Sequence, residues 1–317
     1  MAAIRSAITV LLLITALSGI GGAQEKAPSR KDAKAGAKVE VPANVDFQPN
    51  LVYGNYGKGD DKRLMLDLAL PKKGKGPYPA ILIFHGTGPG TGERAAMREY
   101  TLALAQHGFA AMAVGFRYEC THAFPAAFDD ALTALDWVQA NAKKHGIDKN
   151  RIGALGFSGG GGLAMMLGTK QPEKIKAVVS FYGPCNMALL HKNADGLAAF
   201  VLRPMLQEWL GGTPEQVPRC YRDASPITFV KKGAAPHLFI HGTDDDVVPL
   251  EHSTIMACKL KCAGVKVRML ALEGAPHDFE VKPGLGLYAQ VAFRATEFFF
   301  AEHLLQRPIP IGLVGNR

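Results

Sequence analysis

Aromatic residues are scarce, 8% of 317 with only two tryptophans, and no run of Lys or Arg is interleaved with them. Nucleic-acid binding calls for a basic track studded with stacking rings, so nucleic acid is not an expected partner. The formal charge of +8 does not change this, because Arg5 carries one unit and Gln24–Val41 a further +2. The rest reads as a solvated, mildly basic surface. No set of Cys and His has finger-like spacing, and neither a metal nor an organic cofactor is expected. Internal repeats are absent. A membrane-spanning run is missing as well: the apolar core from Ala7 to Ile20 follows Arg5 and ends in Gly21-Gly22-Ala23. That is a secretory signal pattern, too short to cross a bilayer. No Cys follows it, so a lipoprotein signal is not indicated. Cleavage of residues 1–23 would leave an exported chain, periplasmic or secreted, with no stable membrane association. Residues 24–44, rich in Lys, Ala and Pro and without periodicity, read as a disordered leader.

The five cysteines suit an oxidising compartment but define no framework. Cys258 and Cys262 stand four apart on an expected helix, with Cβ atoms about 5–6 Å apart, too far for a disulfide. Cys185 with Cys220 is the candidate bridge.

What the chain does have is an alternation of strand-like and helix-like segments from Leu64 onward. This predicts one α/β domain over residues 45–317, built on a mostly parallel sheet with helices on both faces. Helical patterns fall at Arg94–Gln106, Phe124–His145, Gly159–Lys170, Glu251–Ala263 and Tyr288–Leu305. Residues 186–230 interrupt the rhythm and read as a lid or cap insertion.

The most informative segment is Gly156-Phe157-Ser158-Gly159-Gly160, between the apolar run Ile152–Leu155 and a small-residue helix. A G-x-S-x-G at a strand-to-helix turn lifts a serine hydroxyl above the sheet. The flanking glycines avoid a clash that any Cβ would cause. Gly160, Gly161 and Gly162 each cost about 1 kcal/mol in helix propensity, which makes sense if this helix must pack closely on the sheet.

A serine hydroxyl needs an adjacent base, and the base needs an orienting group. Both have candidates in loops after strand-like runs. Asp244, Asp245 and Asp246 follow Leu238–Ile240, and His277 follows Val265–Leu272. The order Ser, Asp, His is that of one known arrangement of such triads. Only one of the three aspartates can be the acid; the others suit turn or capping roles. Upstream, the buried-strand run Ala80–Phe84 ends in His85-Gly86-Thr87-Gly88-Pro89-Gly90. An oxyanion needs backbone N–H donors, and Gly159 with Thr87 is the leading pair, Gly86 and Gly88 being alternatives to Thr87.

Together these segments resemble the α/β-hydrolase superfamily, and more narrowly the bacterial acetyl-esterase and feruloyl-esterase-like carbohydrate esterases. Phe124–Asp130, Gly146–Asp148 with Arg151–Gly153, Ser225–Thr228 and His241–Pro249 extend the likeness over roughly Val52 to Leu304. The resemblance implies the α/β-hydrolase fold with a lid insertion. It also singles out Asp245, four residues after the His of His-Gly-x-x-Asp. Two features depart from the pattern: Thr87-Gly88-Pro89 stands where relatives carry a Gly-Gly pair and a bulky aromatic, and Phe157 exceeds the small residues frequent in its place.

The function expected is a serine esterase acting on short acyl or plant-polysaccharide esters, with Ser158, Asp245 and His277 as the triad. A prolyl-oligopeptidase-like exopeptidase is the nearest rival, although this chain lacks the length for the large extra domain of those enzymes. A non-catalytic binding protein on the same fold is the second. Serine at the elbow argues against dienelactone hydrolases, which use Cys, and against dehalogenases and epoxide hydrolases, which use Asp.

Overall fold

Successive β3 residues point to opposite sides of the sheet, and that alternation builds two cores. In this strand, Tyr78–Phe84, Ala80, Leu82 and Phe84 pack into one apolar cluster while Ile81 and Ile83 pack into the other. The computed structural model describes residues 39–74, 76–87, 93–118, 122–194, 196–279 and 286–305. The chain divides into two units, 1–40 and 41–317, and the regular elements described all lie in the second. The signal pattern at 1–23 and the leader up to residue 38 fall outside the described residues.

The remaining strands are β1 (Val45–Asn55), β2 (Arg63–Pro71), β4 (Ala110–Val114), β5 (Ile147–Phe157), β6 (Ile175–Phe181), β7 (His237–Gly242) and β8 (Val267–Leu272). They form one sheet in the order β1-β2-β4-β3-β5-β6-β7-β8. Pairings from β4 through β8 are parallel, and β2 runs antiparallel to both β1 and β4. The eight-stranded, mostly parallel sheet with helices is the α/β-hydrolase fold anticipated above.

Helices α2 (Ala126–His145), α3 (Gly159–Lys170) and α7 (Glu251–Cys262) cover one face; Leu135, Val138, Leu167, Met256 and Leu260 belong to its core. Helices α1 (Arg98–Gln106) and α8 (Leu287–Phe300) cover the other, with Tyr100, Leu104, Phe299 and Phe300 in its core. The expected helix at Arg94–Gln106 divides into a 3-10 turn, Arg94–Met97, followed by α1. That at Tyr288–Leu305 is α8 closed by a π-turn, Ala301–Leu305.

Between β6 and β7 lie α4 (Met187–Asn193), α5 (Gly196–Leu210), α6 (Pro218–Asp223) and a 3-10 turn at Pro226–Phe229. They enclose a small core of their own, in which Leu190, Leu206, Leu210 and Tyr221 meet Val248 from the loop after β7.

The cysteine expectation needs one correction. Cys185 and Cys220 do not bridge; both thiols are free, as are Cys258 and Cys262. Cys185 is instead buried against α7, where its thiol donates to the His252 carbonyl at 3.1 Å. Burial pushes that thiol up to about 12, which leaves it protonated and unreactive.

Candidate active site

Ser158 sits where β5 turns into α3, at φ 51° and ψ −124°. A non-glycine residue at positive φ is strained by about 1–3 kcal/mol and persists only if its surroundings enforce it. Here they do. The Ser158 amide donates to Phe181 O at 3.0 Å, and Ser158 O accepts from Gly161 and Gly162 at 2.8 and 3.2 Å. Glycine is required beside it for lack of space. A Cβ on Gly156 would overlap the carbonyl of Gly160, and one on Gly160 would overlap the carbonyls of Phe84 and His85. Helix α3 therefore starts in contact with the end of β3, as its costly glycines implied.

Phe157 does not enter the site. Its side chain is buried, 4.9 Å from the Tyr100 ring and 4.6 Å from that of Phe181, centroid to centroid. Its size is accommodated by the core.

His277, in the loop after β8, lies between the other two candidates. Its Nε2 is 3.1 Å from Ser158 Oγ and its Nδ1 is 2.7 Å from Asp245 Oδ2. Asp245 is buried in the loop after β7, and Oδ1 accepts the amides of Val247 and Val248 at 3.0 and 2.8 Å. Burial alone would raise its pKa. Hydrogen bonds from His241 and His277, with the Val248 amide, outweigh that and hold the carboxyl well below the usual carboxylate range. Of the three consecutive aspartates, Asp245 is the one joined to His277; Asp244 Oδ1 accepts the Thr243 hydroxyl at 3.0 Å. A hydroxyl, an imidazole and a carboxylate linked in this way can pass a proton from oxygen to nitrogen while the carboxylate keeps the ring oriented.

The loop after β3 lies against the nucleophile: a Cβ on Gly86 would stand 3.5 Å from Ser158 Cβ. Thr87, the candidate second donor, is buried beside it. His85 Nδ1 is 2.8 Å from Gly86 O, and a carbonyl only accepts, so Nδ1 carries the hydrogen. The Gly86 carbonyl and the Thr87 N–H share one trans peptide and point in opposite directions, so this bond turns the Thr87 N–H away from His85. Burial pushes His85 down to about 4, keeping its ring neutral. Gly88 is outside the described residues. Among those described, no cluster of three or more His, Cys, Asp or Glu could hold a metal ion.

Two residues at the site carry no role in the sequence reading. Tyr182, directly after β6, adopts φ 37° and sets its ring 4.3 Å from that of His277. His241 also reaches Asp245 Oδ2, with Nε2 at 3.2 Å. The signal for His241 was present, a histidine near the end of a buried strand, four residues before a carboxylate. Tyr182 has no comparable local mark.

Comparison with known proteins agrees with this architecture. The profile of the BD-FAE family matches residues 66–260, which include β3, the Ser158 turn and Asp245 but stop short of His277. The chain is similar to Esterase LipC of Mycobacterium tuberculosis, 31% identical over 248 residues, 71% of this chain. It spans only 59% of LipC's own length. Among solved structures, a truncated carbohydrate esterase from gut microbiota is 26% identical with a TM-score of 0.67, covering 82% of this chain and 96% of that one. A thermophilic esterase of the planctomycete Thermogutta terrifontis, Est2, is also 26% identical, with a TM-score of 0.66 over 85% of this chain and 95% of its own. With a family profile spanning most of the sheet and two esterase structures superposing on nearly their full length, the chain belongs to the BD-FAE family.

Proposed function

We propose that the protein is a serine hydrolase of carboxylic esters in which Ser158, His277 and Asp245 form the catalytic triad. The observation that carries this reading is the position of the His277 ring, 3.1 Å from Ser158 Oγ on one nitrogen and 2.7 Å from Asp245 Oδ2 on the other. Ser158 Oγ attacks the ester carbonyl carbon while His277 Nε2 takes its proton. The tetrahedral oxyanion is met by the amides of Gly159 and Thr87, at the positive end of α3. His277 then protonates the departing alcohol, and water, deprotonated by the same nitrogen, releases the acid. Asp245 keeps the imidazole in the Nδ1–H tautomer and stabilises the imidazolium.

The substrate class follows from two observations. One structural relative bears the name carbohydrate esterase, and the signal pattern at residues 1–23 fits work outside the cytoplasm. Short acyl esters and acetylated or feruloylated polysaccharide are therefore the substrates of choice, with α4–α6 as the lid that shapes the pocket.

The test compares initial rates of the protein and of Ser158→Ala on p-nitrophenyl acetate, butyrate and octanoate, acetylated xylan and methyl ferulate. Ser158→Ala is expected to lower turnover by about 10⁴–10⁶-fold. Near wild-type rates in the folded variant would remove the mechanism. Silence of the parent on every ester, with Ser158 still labelled by a phosphonate, would transfer the reading to peptidase chemistry.

A further inference from the structure

Asp245 Oδ2 is approached by two imidazoles. Nδ1 of His277 is 2.7 Å away and Nε2 of His241 is 3.2 Å away. His241 stands one residue before the end of β7, with no solvent exposure. Its tautomer can be read from its neighbours. Nε2 lies 2.8 Å from Val248 O, a pure acceptor, so Nε2 carries a hydrogen. Nδ1 lies 2.7 Å from Ser253 Oγ, whose hydroxyl can donate to it. The neutral Nε2–H form thus satisfies both nitrogens, with one N–H divided between Val248 O and Asp245 Oδ2. Val248 also donates its own amide to Asp245 Oδ1 at 2.8 Å, and Val247 adds another at 3.0 Å. Four donors saturate the four lone-pair directions of a carboxylate.

We propose that His241 is a positioning residue for the Asp245–His277 pair: a permanently buried second imidazole whose Nε2–H holds Oδ2 in place and takes a share of its charge, tempering the carboxylate's grip on His277. The kinetic arm of this inference rests on the esterase reading above; its spectroscopic arm does not. Divided between two donors, Oδ2 stabilises the His277 imidazolium less than it would alone. Removing the His241 donor therefore concentrates the charge on His277 and makes that ring easier to protonate. The other titratable groups facing the cluster are His252 on α7, kept neutral by burial, Tyr182 after β6, and Asp278, with Oδ1 3.8 Å from His277 Nε2. All three are retained in the variants below, so a change on altering His241 reports His241.

Three variants test this, His241→Leu, His241→Gln and Ser253→Ala, each followed by NMR titration of isotope-labelled His277 and by the pH profile of kcat/KM on p-nitrophenyl acetate. In His241→Leu both the His277 midpoint and the acid limb should move upward by about 0.5–1 on the pH scale. Plateau kcat should fall about tenfold with KM little changed, as the ring loses its register. The Gln side chain can place an amide N–H where Nε2 stood and should restore most of both. Ser253→Ala, which leaves the core volume nearly intact, should move the midpoint in the same direction by less. A folded His241→Leu protein with midpoint and limb unchanged would overturn the inference. If that variant does not fold, an unchanged midpoint in Ser253→Ala does the same. A midpoint that moves in a protein hydrolysing no ester would sustain the role of His241 while defeating the esterase reading.

Discussion

A methyl group on Gly160 has nowhere to go between α3 and the carbonyls of Phe84 and His85. Gly160→Ala should therefore push α3 away from β3 and with it the Ser158 turn from the loop that carries Thr87. The expected outcome is a large fall in kcat, measured beside a lowered thermal midpoint; unchanged kinetics would mean the helix start is not coupled to the site. Asp245 is decided at the same scale. Its carboxylate accepts N–H groups at both oxygens, whereas an amide would present an NH2 to one of them. Asp245→Asn should favour the wrong His277 tautomer and lower turnover by about 10⁴-fold with the fold retained. Phosphonate labelling of Ser158 should slow in parallel, and a loss of less than tenfold would argue against the orienting role. Because Asp245 is held well below the usual carboxylate range, the acid limb of activity should belong to His277 and not to this carboxyl.

Among the elements, a charged pair ties the segment after β4 to α2. Arg117 gives its backbone N–H to Asp130 Oδ2 at 2.8 Å and its guanidinium to both carboxylate oxygens, with the closest contact at 2.6 Å. The Tyr56 ring lies 4.8 Å from the Arg117 guanidinium carbon. Asp130 is fully buried, so Asp130→Ala strands both the amide and the guanidinium. A cost of about 3 kcal/mol is expected, or a thermal midpoint lower by roughly 6–10 °C. A scanning-calorimetry shift below about 2 °C would show that water replaces the carboxylate without loss.

Element by element, legibility in the sequence followed burial. Runs such as Ala80–Phe84 and Leu238–Ile240, buried on both faces, are continuous and apolar, and β3 and β7 contain them. Helix α3 begins and ends where its pattern does, at Gly159 and Lys170. The edge strand β1 was not legible. Half-exposed, it is broken by register shifts between Gln48 and Leu51 and again between Val52 and Gly54, with Asn50 at φ 61°. Those irregularities erase the alternation by which a strand is recognised.

At the scale of the whole molecule, three buried histidines on different elements make stability depend on pH. His85 at the end of β3, His237 at the start of β7 and His252 in α7 are each pushed by burial down to about 4. In the unfolded chain they protonate near 6.5. Between about pH 6.5 and 4 the unfolded state therefore binds protons that the folded state refuses, and stability must fall as pH falls through that window. Asp245 acts in the same direction but only lower, from the ordinary carboxylate range downward, because its folded-state value is depressed. The thermal midpoint should be flat above about pH 7 and descend steadily to pH 4, and His237→Asn should flatten the descent. A midpoint constant over that range would contradict the buried neutral state of these rings.

Local residue order was enough to give the strand–turn–helix around Ser158, the steric need for Gly156 and Gly160, and the succession of serine, carboxylates and histidine along the chain. Each of these is a local matter, decided by neighbours within a turn or a strand. Folding alone brought Asp245 within reach of both His277 and His241, set the Tyr182 ring against that of His277, sent Phe157 into the core, and left Cys185 and Cys220 unbridged. His277 meets Ser158 across 119 residues and Asp245 across 32. Contacts of that range depend on how β5, β6, β7 and β8 line up side by side, which is a property of the assembled sheet and of no single segment.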